Sequence, residues 1–228
     1  MDNNLKHIFN ESKLDQLYKN NLFTIKSISK LLNTWDNYTK EEQFKLENLT
    51  EEDSNVNKHY RYDGEYEIAL TYGELLKKSV EVLIEKINKF KKIDNKDVFV
   101  DIGCGAGKLL MHLSIKSDFK TLIGVEIQKE RLEYAKYIKK SLFDENNSIF
   151  LFNKNIFDFD LSIGTIFFAN DVYFTEYMSK NIYDILPNGS HFITSKDIPE
   201  CKILKDEIYL HNSWSKHPVK YNYYIKYV

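Results

Sequence analysis

The stretch "VFVDIGCGAGKLL" constrains this chain more than any other. An apolar run, Val98 to Ile102, carries one acid, Asp101, and breaks into Gly103, Gly105 and Gly107 before a helical pattern starts at Lys108. Glycines there permit a tight turn and let a ligand approach backbone amides at a helix N-terminus. A Walker phosphate loop is excluded, because G-x-x-x-x-G-K-[ST] fails at Ile102 and at Leu109. The dinucleotide spacing G-x-G-x-x-G is missed as well, since the third glycine comes one residue early. A dinucleotide ligand is the disfavoured alternative.

The flanking pattern alternates strands with helices. "DVFVDIG", "TLIGVEI", "SIFLFNKNI", "TIFFAN" and "HFITSK" read as strands. "KLLMHLSIK", "QKERLEYAKYIKKSL" and "TEYMSKNIYDIL" read as helices between them. A further helix is expected over "YGELLKKSVEVLIEKINKF", with Leu75, Leu76, Val80, Val82, Leu83 and Ile87 on its apolar stripe. The tail "DEIYLHNSWSKHPVKYNYYIKYV" alternates as two antiparallel strands around a turn near Lys216, His217 and Pro218. Together these predict an α/β fold: a mostly parallel seven-stranded sheet with helices on both faces. Residues 1–70 are polar, with mixed helical spacing. They are expected to form a small N-terminal helical lobe with a charged, loop-rich end and a turn at Asp63-Gly64; residues 71–228 form the main domain.

Two polar positions stand at strand ends where a ligand of an open α/β sheet sits. Glu126 closes "LIGVEI", and Asn170-Asp171 close "TIFFAN", with Tyr173 just beyond. A carboxylate at Glu126 can accept hydrogen bonds from both hydroxyls of a ribose.

The D-x-G-x-G-x-G spacing resembles the S-adenosylmethionine loop of class I methyltransferases. By that likeness Asp101, Gly103 and Gly105 face the methionine part of the cofactor and Glu126 its ribose. The third strand offers either Asn155 with Ile156 or Asp158 with Phe159 to the adenine, with Asn155 favoured for lying nearer the strand end. A longer resemblance covers roughly residues 70–225. "TYGELL", "VFVDIGCGAGKLL" with "GVEI", "IFFANDVYF", "NGSHFITSK" and "NSWSKHPVKYNYY" are similar, in order, to the non-SET histone lysine methyltransferases of the disruptor-of-telomeric-silencing family. The resemblance implies that Tyr72, Gly73 and Glu74 close over the cofactor, that Asn170 orients cofactor and methyl acceptor, and that Tyr173, Trp214 and Tyr221 line a lysine channel. It implies S-adenosylmethionine as cofactor, S-adenosylhomocysteine as product, no metal, and a protein substrate of histone or nucleosome type. Lys108 departs from the glutamine usual beside the loop, and Leu75 and Leu76 replace the usual hydroxyl residues. The [D/N/S]-P-P-[Y/F] signature of base and amide methyltransferases lacks both prolines in "NDVY". Methylation of another acceptor and a silent cofactor-binding subunit are the alternatives.

Composition sets limits. A net charge of −2 supplies no global positive field for nucleic acid, so such contact is expected only through a nucleosome. The lysines from Lys86 to Lys96 read as a solvated helix face. Cys104 and Cys201 form no C-x-x-C and have no histidine at ligand spacing, which argues against a zinc site. With no secretory h-region and no long apolar run, an intracellular protein off the membrane is expected, nuclear if its source is eukaryotic.

Overall fold

The computed structural model describes residues 3–19, 40, 59–62, 66–69, 73–144, 147–172, 174–199, 204–213 and 215–227. Seven strands form one sheet: β3 (Val98–Ile102), β4 (Thr121–Glu126), β5 (Ile149–Asn153), β6 (Ile166–Ala169), β7 (His191–Thr194), β8 (Leu204–Leu210) and β9 (Val219–Ile225). Their order is β5-β4-β3-β6-β7-β9-β8. The first five run parallel, and β9 pairs antiparallel with both β7 and β8. The expected mostly parallel seven-stranded α/β sheet is the fold.

Strand periodicity divides the core into two layers. Phe99, Leu122, Ile166, Phe168, Ile193 and Tyr223 pack on one side, with helices α2 (Lys77–Phe90), α3 (Lys108–Lys116) and α4 (Lys129–Leu142). Val100, Ile123, Phe167, Ala169, Phe192 and Tyr224 pack on the other, against α5 (Glu176–Ile185) and two short 3-10 turns. The near-continuous apolar run of β6 follows from this, since both of its faces are covered. Close packing also explains Gly124: a Cβ there would stand 2.6 Å from the Cys104 sulfur and 2.7 Å from Leu110 Cδ1.

The N-terminal segment contains α1 (Asn3–Lys19), whose Leu14 and Leu17 are fully buried in the first layer. Glu11 pairs with Lys77 at 3.0 Å and with Lys116, and Tyr18 hydrogen-bonds His112 Nδ1 at 2.9 Å. The segment expected to be loop-rich holds an antiparallel pair, β1 (His59–Tyr62) and β2 (Tyr66–Ala69). Its Tyr and Ile content suits a strand, which the surrounding charges masked. Asp63-Gly64 lies outside the described residues.

The helix before the sheet starts later than its apolar stripe suggests. Leu76 caps α2 at 43% exposure and Val82 is 39% exposed, so both leave the predicted buried face. Residues 74–76 instead run extended beside the turn between β8 and β9. Leu76 N–H donates to His211 O at 3.0 Å, Ser213 N–H donates to Glu74 O at 2.8 Å, and Leu75 bridges Asn212.

At the end of β6 the chain places neighbours in opposite environments. Asp171 is fully buried and accepts from Ser179 Oγ (2.6 Å), Thr194 Oγ1, Ser195 N–H (2.7 Å) and Ser195 Oγ (2.8 Å). These bonds tie β6 to β7 and to α5. Asp171→Ala leaves the Ser179 and Thr194 hydroxyl hydrogens buried without an acceptor and is expected to cost at least about 3 kcal/mol; urea unfolding at neutral pH measures it, and a loss under about 1 kcal/mol contradicts the assignment.

Candidate active site

A cleft opens at the carboxyl ends of β3, β4 and β6. Glu74, Asp101, Gly103, Gly105, Glu126, Asn155, Ile156 and Asn170 all line it. The loop after β3 supplies its floor. Gly103, Gly105 and Gly107 have φ of 75°, 52° and 71°, which side-chain-bearing residues rarely adopt. Gly107 then caps α3 in the left-handed conformation.

Of the carboxylates that line the cleft, Glu126 and Asp101 stand at its strand ends. Glu126 Oε2 accepts from Gly105 N–H and Oε1 from Gln128 N–H, each at 2.8 Å, so it clasps the glycine loop. Asp101 is 4% exposed, and its carboxyl accepts no hydrogen bond among the described residues. Burial, and secondarily the Glu126 charge, push its carboxyl up to about 8. Cys104 lies beside them, and burial raises its thiol well above the ordinary range, which makes it a poor nucleophile.

The cleft is roofed by the 73–76 strap. Lys108 Nζ meets Glu74 Oε2 at 2.7 Å, at 4% and 11% side-chain exposure, and so binds the strap to the start of α3. Sequence alone marked Lys108 only as a departure; nothing there showed that it reaches Glu74.

Asn170 stands at the inner wall. Its Nδ2 donates to Gly73 O at 3.0 Å and to Asn212 Oδ1 at 3.1 Å, and its Oδ1 accepts from Tyr221 Oη at 2.6 Å. Tyr221, expected to line a lysine channel, is fully buried behind Asn170, stacked on Phe168 with centroids 5.6 Å apart. The inward phase of β9 at that position decides this. Tyr72, Tyr173 and Trp214 lie outside the described residues. The aromatics lining the cleft among the described residues are Phe168 and Phe174. Of the two adenine candidates, Asn155 with Ile156 reaches the cleft and Asp158 with Phe159 does not. Asn155 also caps a 3-10 turn, accepting from Phe157 N–H at 3.3 Å. Arg131, Lys154 and Met178 line the cleft too, and no sequence motif pointed to them.

The family model for the histone methylation protein DOT1 matches residues 48–213. The chain belongs to the DOT1 family. Its sheet is that of a class I, S-adenosylmethionine-dependent methyltransferase domain. Among solved structures, the magnesium protoporphyrin IX methyltransferase ChlM from Synechocystis PCC 6803, with bound SAM, is similar at TM-score 0.53 and 10% identity, over 66% of this chain and 79% of that one. An RNA methyltransferase from Salinibacter ruber in complex with S-adenosyl-L-homocysteine matches at TM-score 0.47 and 16% identity, over 63% and 90%. A curated relative, carboxy-S-adenosyl-L-methionine synthase from Nautilia profundicola, is 26% identical over 154 residues, which is 63% of this chain and 64% of that protein's length. This DOT1 chain therefore spans under two thirds of that relative.

The raised carboxyl of Asp101 has a measurable consequence for this DOT1 domain. In the unfolded chain the group ionises above about pH 4, while the ligand-free fold keeps it protonated to about pH 8. The folded state then holds the extra proton, so stability is full below pH 4 and declines as pH rises toward 8, by up to about 1.4 kcal/mol per unit. Asp101→Asn is expected to remove that component: its stability gain over the parent, from urea unfolding at pH 5, 6.5 and 8, grows with pH. A gain that does not change with pH contradicts it.

Proposed function

We propose that this protein transfers a methyl group from S-adenosylmethionine to a protein lysine amine, with a histone, free or in a nucleosome, as its partner. One observation carries the proposal: a single cleft joins the glycine loop, Asp101 and Glu126 to Asn170. The residues fit the cofactor. The buried Asp101 carboxyl, with no hydrogen-bond partner among the described residues, suits a cationic methionine end whose charge favours its ionised form; Glu126 suits ribose hydroxyls, and Asn155 with Ile156 the adenine. When bound, the cofactor supplies an electrophilic methyl group on a sulfonium.

The chain's own residues provide alignment and a dry wall. Phe168, Phe174 and Met178 give the cleft an apolar wall, which disfavours the charged form of an entering ammonium, ordinarily of pKa about 10.4. Asp171 is not the base. It is fully buried, and four hydrogen bonds occupy its oxygens. The proton therefore leaves the amine for solvent before or during entry, and catalysis rests on positioning. In a eukaryotic source the partner places the protein in the nucleus.

The test is methyl transfer from tritiated S-adenosylmethionine to nucleosomes, free core histones, RNA, DNA and a small-molecule pool in parallel. Label on a histone lysine, located by mass spectrometry, is expected. Label only on nucleic acid or small molecules overturns the lysine assignment and leaves the methyltransferase. Asn170→Ala is expected to reduce transfer about 100-fold. Glu126→Ala, with its circular dichroism unchanged, is expected to weaken S-adenosylhomocysteine binding about 10- to 100-fold by calorimetry. Unchanged binding removes Glu126 from the cofactor site.

A further inference from the structure

The tail stretch "NSWSKHPVKYNYY" begins at Asn212, to which its pattern assigns no role, yet the geometry around Asn170 leads there. Gly73 O can only accept, and it lies 3.0 Å from Asn170 Nδ2, which settles which end of that carboxamide is nitrogen. The second hydrogen on Nδ2 goes to Asn212 Oδ1 at 3.1 Å. Asn212 Nδ2 then donates to Tyr221 Oη at 3.2 Å. Tyr221 has one proton, and its shortest contact is Asn170 Oδ1 at 2.6 Å, against 3.4 Å to Asn212 Oδ1. The three side chains close a ring in which each donates to the next. Such rings reinforce themselves where water is excluded, and Asn212 and Tyr221 are 1% and 0% exposed.

The ring leaves Asn170 with a defined remainder. Both amide hydrogens and one lone pair of Oδ1 are in use, so a ligand can meet it only by donating to the second lone pair. We propose that Asn212, bonded to Asn170 directly and through Tyr221, is a positioning residue that locks the Asn170 carboxamide with its nitrogen toward Gly73, so that Asn170 presents only an acceptor and the site selects a methyl acceptor that can donate a hydrogen bond to it. This rests on the methyl-transfer function above and narrows its substrate to groups bearing N–H or O–H, which include a neutral lysine amine. Asn212 is suited to that role because its backbone is held separately. It bridges Leu75, and its neighbours His211 and Ser213 pair with Leu76 and Glu74. Its side chain is therefore free to serve the ring.

Asn212→Leu, close in size and without polar atoms, tests the proposal with two readouts. The first needs no acceptor: 15N NMR of side-chain amides, with the Asn170 pair assigned by its loss in Asn170→Asp. Exchange of both Asn170 protons is slow in the parent and is expected to speed up at least about tenfold in Asn212→Leu. The second is kinetic, on whichever acceptor is labelled. The variant is expected to lose about 10- to 100-fold in kcat while the KM for cofactor and the S-adenosylhomocysteine Kd stay within about threefold. If Asn212→Leu does not fold, Tyr221→Phe, which keeps the stack on Phe168, decides by the same readouts. Unchanged Asn170 exchange, an unchanged kcat, or Asn170-dependent transfer to a carbon acceptor each overturns the proposal. If no acceptor at all is labelled, the lysine function fails, and the exchange measurement still decides the positioning.

Discussion

The buried carboxylate of Asp171 is the interaction on which the carboxyl edge of this sheet depends. A charge with no exposure is tolerable only when its lone pairs are filled, and here Ser179, Thr194 and Ser195 fill them. Those donors come from α5 and from the end of β7, so satisfying one side chain fixes the spacing of two elements against β6. Strand geometry does the rest. Asp171 turns away from the cleft, and Asn170, one residue before, turns toward it. An apolar strand that ends in a polar pair thus serves two purposes, one residue holding the edge together and the other facing the cleft.

The second constraint is the seam between the 73–76 strap and residues 211–213. Backbone pairing across it joins a segment that precedes the sheet to the turn of the final hairpin. The Lys108–Glu74 ion pair holds the strap from the other side. Buried pairs of this kind contribute little net stability because both charges are desolvated, but they specify geometry when bonded. The cleft is therefore roofed by contacts to the loop it covers.

Much of the architecture was legible. The glycine spacing with Asp101, the acid at Glu126 and the Asn170 strand end each depend on short-range pattern, and they converge on one cleft. The β5-to-β9 elements were readable because period-two and period-3.6 runs are local properties. The β1–β2 pair was not, since a strand in a charged segment is chosen by its partner rather than its own run. Leu76 and Val82 carried helix-face periodicity yet lie exposed, because pairing of the strap with His211 and Ser213 sets where α2 begins. Tyr221 was expected in the right neighbourhood but in the wrong role, since its hydroxyl serves Asn170 from behind instead of facing a substrate.

By itself the sequence determined the α/β class, the order of strand, loop and helix, the family, and which residue types gather at the strand ends. Those follow from periodicity and from turns that only glycine accepts. The tertiary structure alone decided which way each polar side chain faces: that Asp171 is an anchor, that Asn170 is locked by Asn212 and Tyr221, and that Lys108 meets Glu74. Such pairings join residues far apart in the chain, and hydrogen bonds are satisfied in space, where no one-dimensional pattern records them.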